Sequence, residues 1–254
     1  MSPQTDLIDI NAQNVEEIGF FCYMSQPKSE GYQRKLHWLQ ARFNEGMRIK
    51  MLRLPERGFI EYIPGEYAWR PVDARGYMFI HCLWVVGRSK GKGYATHLLN
   101  ECIVDAQKAG MQGVAMVTSK GNWLVDKKLL LKRGFEVVDK ASLSFELLAL
   151  KFSNASSPAF TNGWQAKMDR LGAGITIFRT DQCPYLDNAV KAAIEAAREA
   201  SLPCEVIELN SSQEVRELTP SAYGVYGVVV NGHLLSYHSL SKEDLFQRWS
   251  KLST

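Results

Sequence analysis

What this chain of 254 residues lacks narrows its nature first. No apolar run approaches the roughly 18 residues of a membrane-spanning helix. The opening Met1 to Ile10 carries Asp6 and Asp9 in place of the basic flank and apolar core of a secretory leader. A cytoplasmic protein with no membrane partner is the expectation. Charge of one sign is scarce too: 30 Lys and Arg against 27 Asp and Glu leave a net +3, with the signs interspersed, so no nucleic-acid partner is expected. Cysteines number five. Cys22, Cys82, Cys102, Cys183 and Cys204 are widely spaced, odd in number and set neither as Cys-x-x-Cys nor with histidines at ligand intervals. That argues against a disulfide scaffold and against a metal site.

What is present reads as ordinary globular protein, 46% hydrophobic and 22% charged, long enough for two cores. From Phe152 to Gly163 the chain reads FSNASSPAFTNG, and there Ser, Asn, Pro and Gly displace periodic apolar residues. The expected division is a domain over residues 1–152, a linker over 153–163 and a smaller domain over 164–254. In the first, strands are expected at 6–11, 47–54, 59–63, 77–86, 114–118, 135–138 and 145–152, with helices at 15–23, 31–44, 93–109 and 125–132. Ala95, Leu98, Leu99, Cys102, Ala106 and Ala109 have the spacing of one buried helical face.

The sharpest signal is WVVGRSKGKGYATHLL, where an apolar strand feeds through Gly87 and Arg88 into a helix beginning near Gly93. A helix N-terminus offers unpaired backbone N–H groups and positive partial charge, which suits a pyrophosphate. Gly91 and Gly93 clear side chains from its approach, and Arg88, Lys90 and Lys92 add positive charge. The pattern is neither a Walker loop nor Gly-x-Gly-x-x-Gly.

Here the sequence resembles the GNAT superfamily of N-acetyltransferases, whose donor loop reads Arg/Gln-x-x-Gly-x-Gly/Ala after a central strand. Arg88-Ser89-Lys90-Gly91-Lys92-Gly93 matches it fully. The family's later segment is matched by Asn122, by Leu129 to Arg133 and by Gly134-Phe135. The resemblance covers about residues 1–152 and implies an α+β fold with a mixed, splayed central sheet. It also implies acetyl-CoA as acyl donor. Trp84, Val85 and Val86 would then run along the pantetheine arm. Arg88, Ser89, Lys90, Gly91, Lys92, Gly93, Tyr94 and Ala95 would surround the pyrophosphate, with Asn122 a further contact.

The implied chemistry is direct acetyl transfer to the amine of a small molecule or peptide in a ternary complex. The family's usual thiolate acid, a tyrosine, is replaced here by Leu130. Water or Tyr94 is the substitute acid, and His81 is the candidate base, with an intrinsic pKa of about 6.5. A packed histidine on a sheet face is the alternative for His81, and plain core the reading of Cys82. The stretch EYIPGEYAWRPVDARGY, with Glu61, Glu66, Arg70 and Asp73, is either an acceptor pocket or a hairpin packing its aromatics on the sheet.

Beyond the linker, strands at 175–178, 204–209, 227–230 and 234–237 alternate with helices at 186–200, 213–218 and 242–252. Asn231-Gly232 is a hairpin signal. The order β-α-β-α-β-β-α resembles a thioredoxin-like fold. Cys183 stands near the first helix start, where a thiolate is stabilised. The resolving position is Leu186, however, and Gly227 stands where such folds place a cis-proline, which disfavours dithiol chemistry. The pairing of such a tail with a GNAT domain resembles the YoaP-like acetyltransferases. A non-catalytic acyl-CoA sensor and a monothiol binding or redox module centred on Cys183 remain alternatives, and a homodimer stays open.

Overall fold

The computed structural model describes residues 6–120 and 124–251. Its contacts divide into two compact units. One holds the chain up to Met24, Leu36–Ala68 and Val72–Phe160. The other holds Ser25–Lys35, Trp69–Pro71 and the chain from Thr161 on.

The elements of the first half are β1 (Leu7–Ile10), α1 (Val15–Ile18), α2 (Glu30–Phe43), β2 (Arg48–Leu52), β3 (Gly58–Pro64), β4 (Val72–Asp73) and β5 (Tyr77–Val85). They are followed by α3 (Tyr94–Lys108), β6 (Gly113–Thr118), α4 (Lys127–Leu131), β7 (Glu136–Ala141), β8 (Phe145–Lys151) and β9 (Ala159–Phe160). Seven strands make one sheet in the order β1-β2-β3-β5-β6-β8-β7, antiparallel except for the β5 and β6 pair. The helix expected over 15–23 is only α1, because Gly19 closes it with φ at 78°. Inside the expected linker, Ala159–Phe160 pairs with Val72–Asp73. Polar composition alone does not reveal a two-residue bridge.

α3 covers one face of the sheet. Leu98, Leu99, Cys102 and Ala106 are buried against Ile60, Tyr62, Ile80 and Met116, each leucine worth about 1.5–3 kcal/mol on burial. Ala95 and Ala109, expected on this face, lie outside the buried set, whereas Asp105 lies inside it. Asp105 accepts a hydrogen bond of 2.6 Å from the Tyr62 hydroxyl, and Lys50 Nζ stands 3.3 Å from it.

The second unit contains α5 (Trp164–Met168), β10 (Ile175–Arg179), α6 (Leu186–Glu199), β11 (Cys204–Glu208), α7 (Ser212–Leu218), β12 (Tyr226–Val230), β13 (His233–Ser236) and α8 (Lys242–Ser250). Its sheet runs β11-β10-β12-β13, with β10 parallel to β11 and the other pairs antiparallel. Gly227 lies inside β12, and Val225 is the residue that precedes this strand. Small Ala189, Ala193, Ala196 and Ala197 bring α6 onto the sheet.

Two segments from the first half of the sequence complete this unit. Arg34 Nε donates to Asp181 at 2.7 Å, Lys35 Nζ donates to the Gln182 carbonyl at 2.9 Å, and Arg70 donates to the Gln182 side chain while lying over the Tyr223 ring. No charge pattern in the sequence announces these partners, which lie more than a hundred positions apart.

Candidate active site

The parallel pairing of β5 with β6 runs from Tyr77↔Gly113 to Ile80↔Met116 and ends there. β5 continues to Val85, paired on its other side with β3 as far as Gly58↔Val85. From His81 to Val85 β5 therefore runs on beyond its register with β6. This is the splay.

At the end of that seam lies a cleft of about 480 Å³. Leu83, Trp84 and Val85 form one wall, Ser89, Lys90, Gly91, Gly93, Tyr94, Ala95 and Thr96 the next, and Leu124 to Asp126 the third. After β5, Gly87–Ser89 makes one 3-10 turn. Gly91 has φ at 77°, and Gly93 caps α3 in the left-handed region at 85°. Such a path is disfavoured for residues with a Cβ. Among the described residues no side chain caps α3, and the His97 N–H donates to the Gly93 carbonyl. The helix dipole points its positive end toward this start, which adjoins the cleft.

The expected donor contacts divide. Trp84, Val85, Ser89, Lys90, Gly91, Gly93, Tyr94 and Ala95 line the cleft, whereas Val86, Arg88 and Lys92 do not. Lys92 turns instead to Glu56, Nζ to Oε1 at 3.0 Å. The Ser89 hydroxyl donates to the other Glu56 oxygen at 2.6 Å. Asn122 lies outside the described residues. Residues 87–93 carry a recognisable loop signature, while Glu56 sits in a turn without one. The sequence reading missed it.

The catalytic candidates stand elsewhere than expected. The His81 side chain is 0% exposed and does not line the cleft. A bulge between the Glu61↔Cys82 and Tyr62↔Ile80 pairs makes His81 the extra residue of β5. It lies near Trp38, Phe79 and Glu61. Tyr94 does line the cleft, but its hydroxyl is drawn toward the Glu56 carboxylate. Leu130, at the family's tyrosine position, is 0% exposed in the core.

In the aromatic stretch after β3 begins, Glu61, Tyr62, Trp69 and Arg70 are buried while Glu66 and Tyr67 are exposed. Tyr62 and Trp69 serve packing. Cys183 lies three residues ahead of α6, half-buried, with its carbonyl accepting from Leu186 N–H at 3.2 Å.

A parallel seam that ends beside an uncapped, glycine-lined helix start has a shape suited to an acyl chain joined to a pyrophosphate. Residues 18–135 match the Acetyltransferase (GNAT) family. The chain is 34% identical over 239 residues, 92% of its length and 94% of the relative's, to a Bacillus subtilis protein described as an uncharacterized N-acetyltransferase YoaP. Solved structures similar to it include yncA, an acetyltransferase from Salmonella typhimurium with acetyl-CoA. That match has a TM-score of 0.45 and 15% identity, over 61% of this chain and 98% of that one. An acetyltransferase from Thermus thermophilus matches with a TM-score of 0.44 and 14% identity, over 59% and 99%. The chain belongs to the GNAT family and is an acetyltransferase.

Proposed function

We propose that the enzyme transfers the acetyl group of acetyl-CoA directly to the amine of a small molecule or peptide. The observation that carries this reading is the seam from His81 to Val85 opening onto the cleft at the start of α3. Backbone groups of Leu83 to Val85 hold the pantetheine arm as a strand would. The amides from Gly91 to Ala95, with Lys90, hold the pyrophosphate. The name of the Bacillus subtilis relative favours a nitrogen acceptor.

In the reaction the amine lone pair attacks the thioester carbon, and the tetrahedral oxyanion collapses with loss of the CoA thiolate. One proton leaves the nitrogen and one reaches the sulfur. With His81 sealed, Tyr94 engaged by Glu56 and Leu130 apolar, water in the cleft carries that proton. Positioning of amine and thioester supplies much of the rate.

The second unit is thioredoxin-like in this reading, of the YoaP type. Support comes from its β11-β10-β12-β13 order with one parallel pair, and from a relative that matches 92% of the chain. It acts as a scaffold and not as a dithiol oxidoreductase.

Titration of the purified full chain with acetyl-CoA, followed by thiol release with a panel of amines, tests the proposal. Micromolar binding and amine-dependent release of CoA are expected. Absence of binding would remove the donor site, and release that ignores every amine would remove the acceptor class.

A further inference from the structure

We propose that Glu56 is a positioning residue of the donor site: from the turn between β2 and β3, its carboxylate holds the loop from Gly87 to Gly93 in the shape that receives acetyl-CoA. The inference rests on the donor-site reading above and concerns how that site keeps its form.

The loop has reason to need a clasp. Three of its seven residues are Gly87, Gly91 and Gly93, all with positive φ. Glycine loses more conformational freedom on ordering than any other residue. A cradle made of backbone amides binds an anion only where those amides already converge.

The turn meets the loop at four points. Val86 N–H donates to the Arg57 carbonyl at 3.1 Å, and Arg57 N–H donates to the Ser89 hydroxyl oxygen at 2.9 Å. The Ser89 hydroxyl passes its own proton to Glu56 at 2.6 Å, and Lys92 closes on the same carboxylate at 3.0 Å. Tyr94, the first residue of α3, adds the weakest interaction with it. The Glu56 carboxylate thus holds the loop at Ser89 and Lys92, while the Arg57 backbone holds the chain entering it.

The side-chain partners lie where a clasp requires. Ser89 is 3% exposed, so its bond to Glu56 is partly buried, whereas the Lys92 contact with the same carboxylate is exposed. Ser89 both donates and accepts within the protein, which leaves its hydroxyl no proton for a phosphate. Lys92, one of three cations in the loop, faces the clasp and does not line the cleft. Its charge steadies the loop, and Lys90 is the cation presented to the donor.

The test compares acetyl-CoA binding by calorimetry, steady-state kinetics and thermal melting for the wild type, E56A, E56Q, S89A and the E56A/S89A double variant. Loss of the clasp makes the donor pay for ordering the loop. We expect E56A to raise the acetyl-CoA Kd and KM about ten-fold while kcat at saturating donor stays within about two-fold. E56Q keeps an oxygen that accepts from Ser89 and is expected to recover most of the affinity. S89A is expected to resemble E56A, with the double variant no worse than the poorer single one, as for two halves of one contact.

Unchanged or tighter donor binding in a folded E56A would overturn the proposal. So would a fall in kcat that matches the fall in kcat/KM, or a folded E56Q as weak as E56A. Should E56A melt below the assay temperature, S89A decides by the criteria set for E56A, and a folded E56Q as weak as S89A would likewise overturn the proposal. A wild type that binds no acetyl-CoA overturns the donor site, and the clasp with it. A wild type that binds while E56A is indistinguishable from it overturns the clasp alone.

Discussion

The imidazole of His81 and the carboxylate of Glu61 stand 3.5 Å apart, Nδ1 to Oε1, with side chains 0% and 1% exposed. A base that accepts a proton from substrate must reach it directly or through water, and here neither group has a solvent-facing surface. The pair belongs to the bulge of β5. His81→Gln is therefore expected to keep kcat within about three-fold and leave the pH–rate profile around pH 6.5 unmoved. It is expected to cost about 1–3 kcal/mol of stability through the disturbed buried pair. A pH–rate profile beside a thermal melt checks this. A hundred-fold loss of kcat in a folded variant would restore His81 as the base.

At Gly91 a Cβ would meet nothing within 4 Å, yet φ is 77°. Space is therefore not the constraint. Gly91→Ala is expected to cost about 1–2 kcal/mol of backbone strain and to raise the donor Kd several-fold. Gly91→Glu adds a negative charge at the mouth of the cleft and should abolish detectable binding. Calorimetry on both variants measures it, and equal affinity in the two would show that the pyrophosphate lies elsewhere.

Asp105 carries a dependence on acid. Burial alone would push its carboxyl up, but the hydrogen bond from Tyr62 and the charge of Lys50 outweigh burial and hold it below the usual carboxylate range. Its stabilising contribution is thus present above the unfolded value of about 3.9 and is lost as pH falls through the lower folded value. Tyr62→Phe is expected to cost about 1–2 kcal/mol at pH 7. The gap to the wild type should narrow as pH falls through the folded values of Asp105, first in the variant and then in the wild type. Urea denaturation at pH 7 and pH 3.5 reads the difference, and a gap that widens in acid would contradict it.

Patterns that repeat along the chain were legible. The 3.6-residue spacing of Leu98, Leu99, Cys102 and Ala106 exposes the inner face of α3, and Arg88 to Gly93 exposes the donor loop, because helix and cradle are built from consecutive residues. Asp105 was illegible. It interrupts an apolar face, and its reason for being there, Tyr62, lies 43 positions away. Glu56 shares that difficulty: a lone carboxylate in a turn reads as solvated until Ser89 and Lys92 are found beside it. The bulge that makes His81 the extra residue of β5 also has no sequence mark, since apolar residues continue on both sides of it. Ser25–Lys35 and Trp69–Pro71 join the second unit through partners far along the chain, such as Asp181 for Arg34 and Gln182 for Arg70.

One of those contacts can be probed through a glycine within α2. A Cβ on Gly31 would stand 2.2 Å from the Pro184 carbonyl oxygen, so the first turn of α2 lies against the loop that carries Cys183. Gly31→Ala forces the two apart and strains the bonds from Arg34 and Lys35 to Asp181 and Gln182. A loss of about 1–3 kcal/mol is expected, with faster labelling of Cys183 by a thiol reagent. Mass-resolved alkylation together with melting tests it; an unaltered rate at Cys183 would mean that α2 does not shield that loop.

The seam between β5 and β6 also bears on how long the protein survives. Five residues of backbone, from His81 to Val85, lack the neighbouring strand a continuous sheet would give them on one side. In the donor complex proposed above, the extended arm completes that pairing, and the substrate would then double as a removable stay of the fold. Occupancy stabilises the native state by RT ln(1 + [L]/Kd), about 2.7 kcal/mol at a hundredfold excess over Kd. On that reading resistance to proteolysis is expected to rise and fall with the supply of activated acetate, and a cell starved of it would hold this enzyme in its most perishable form.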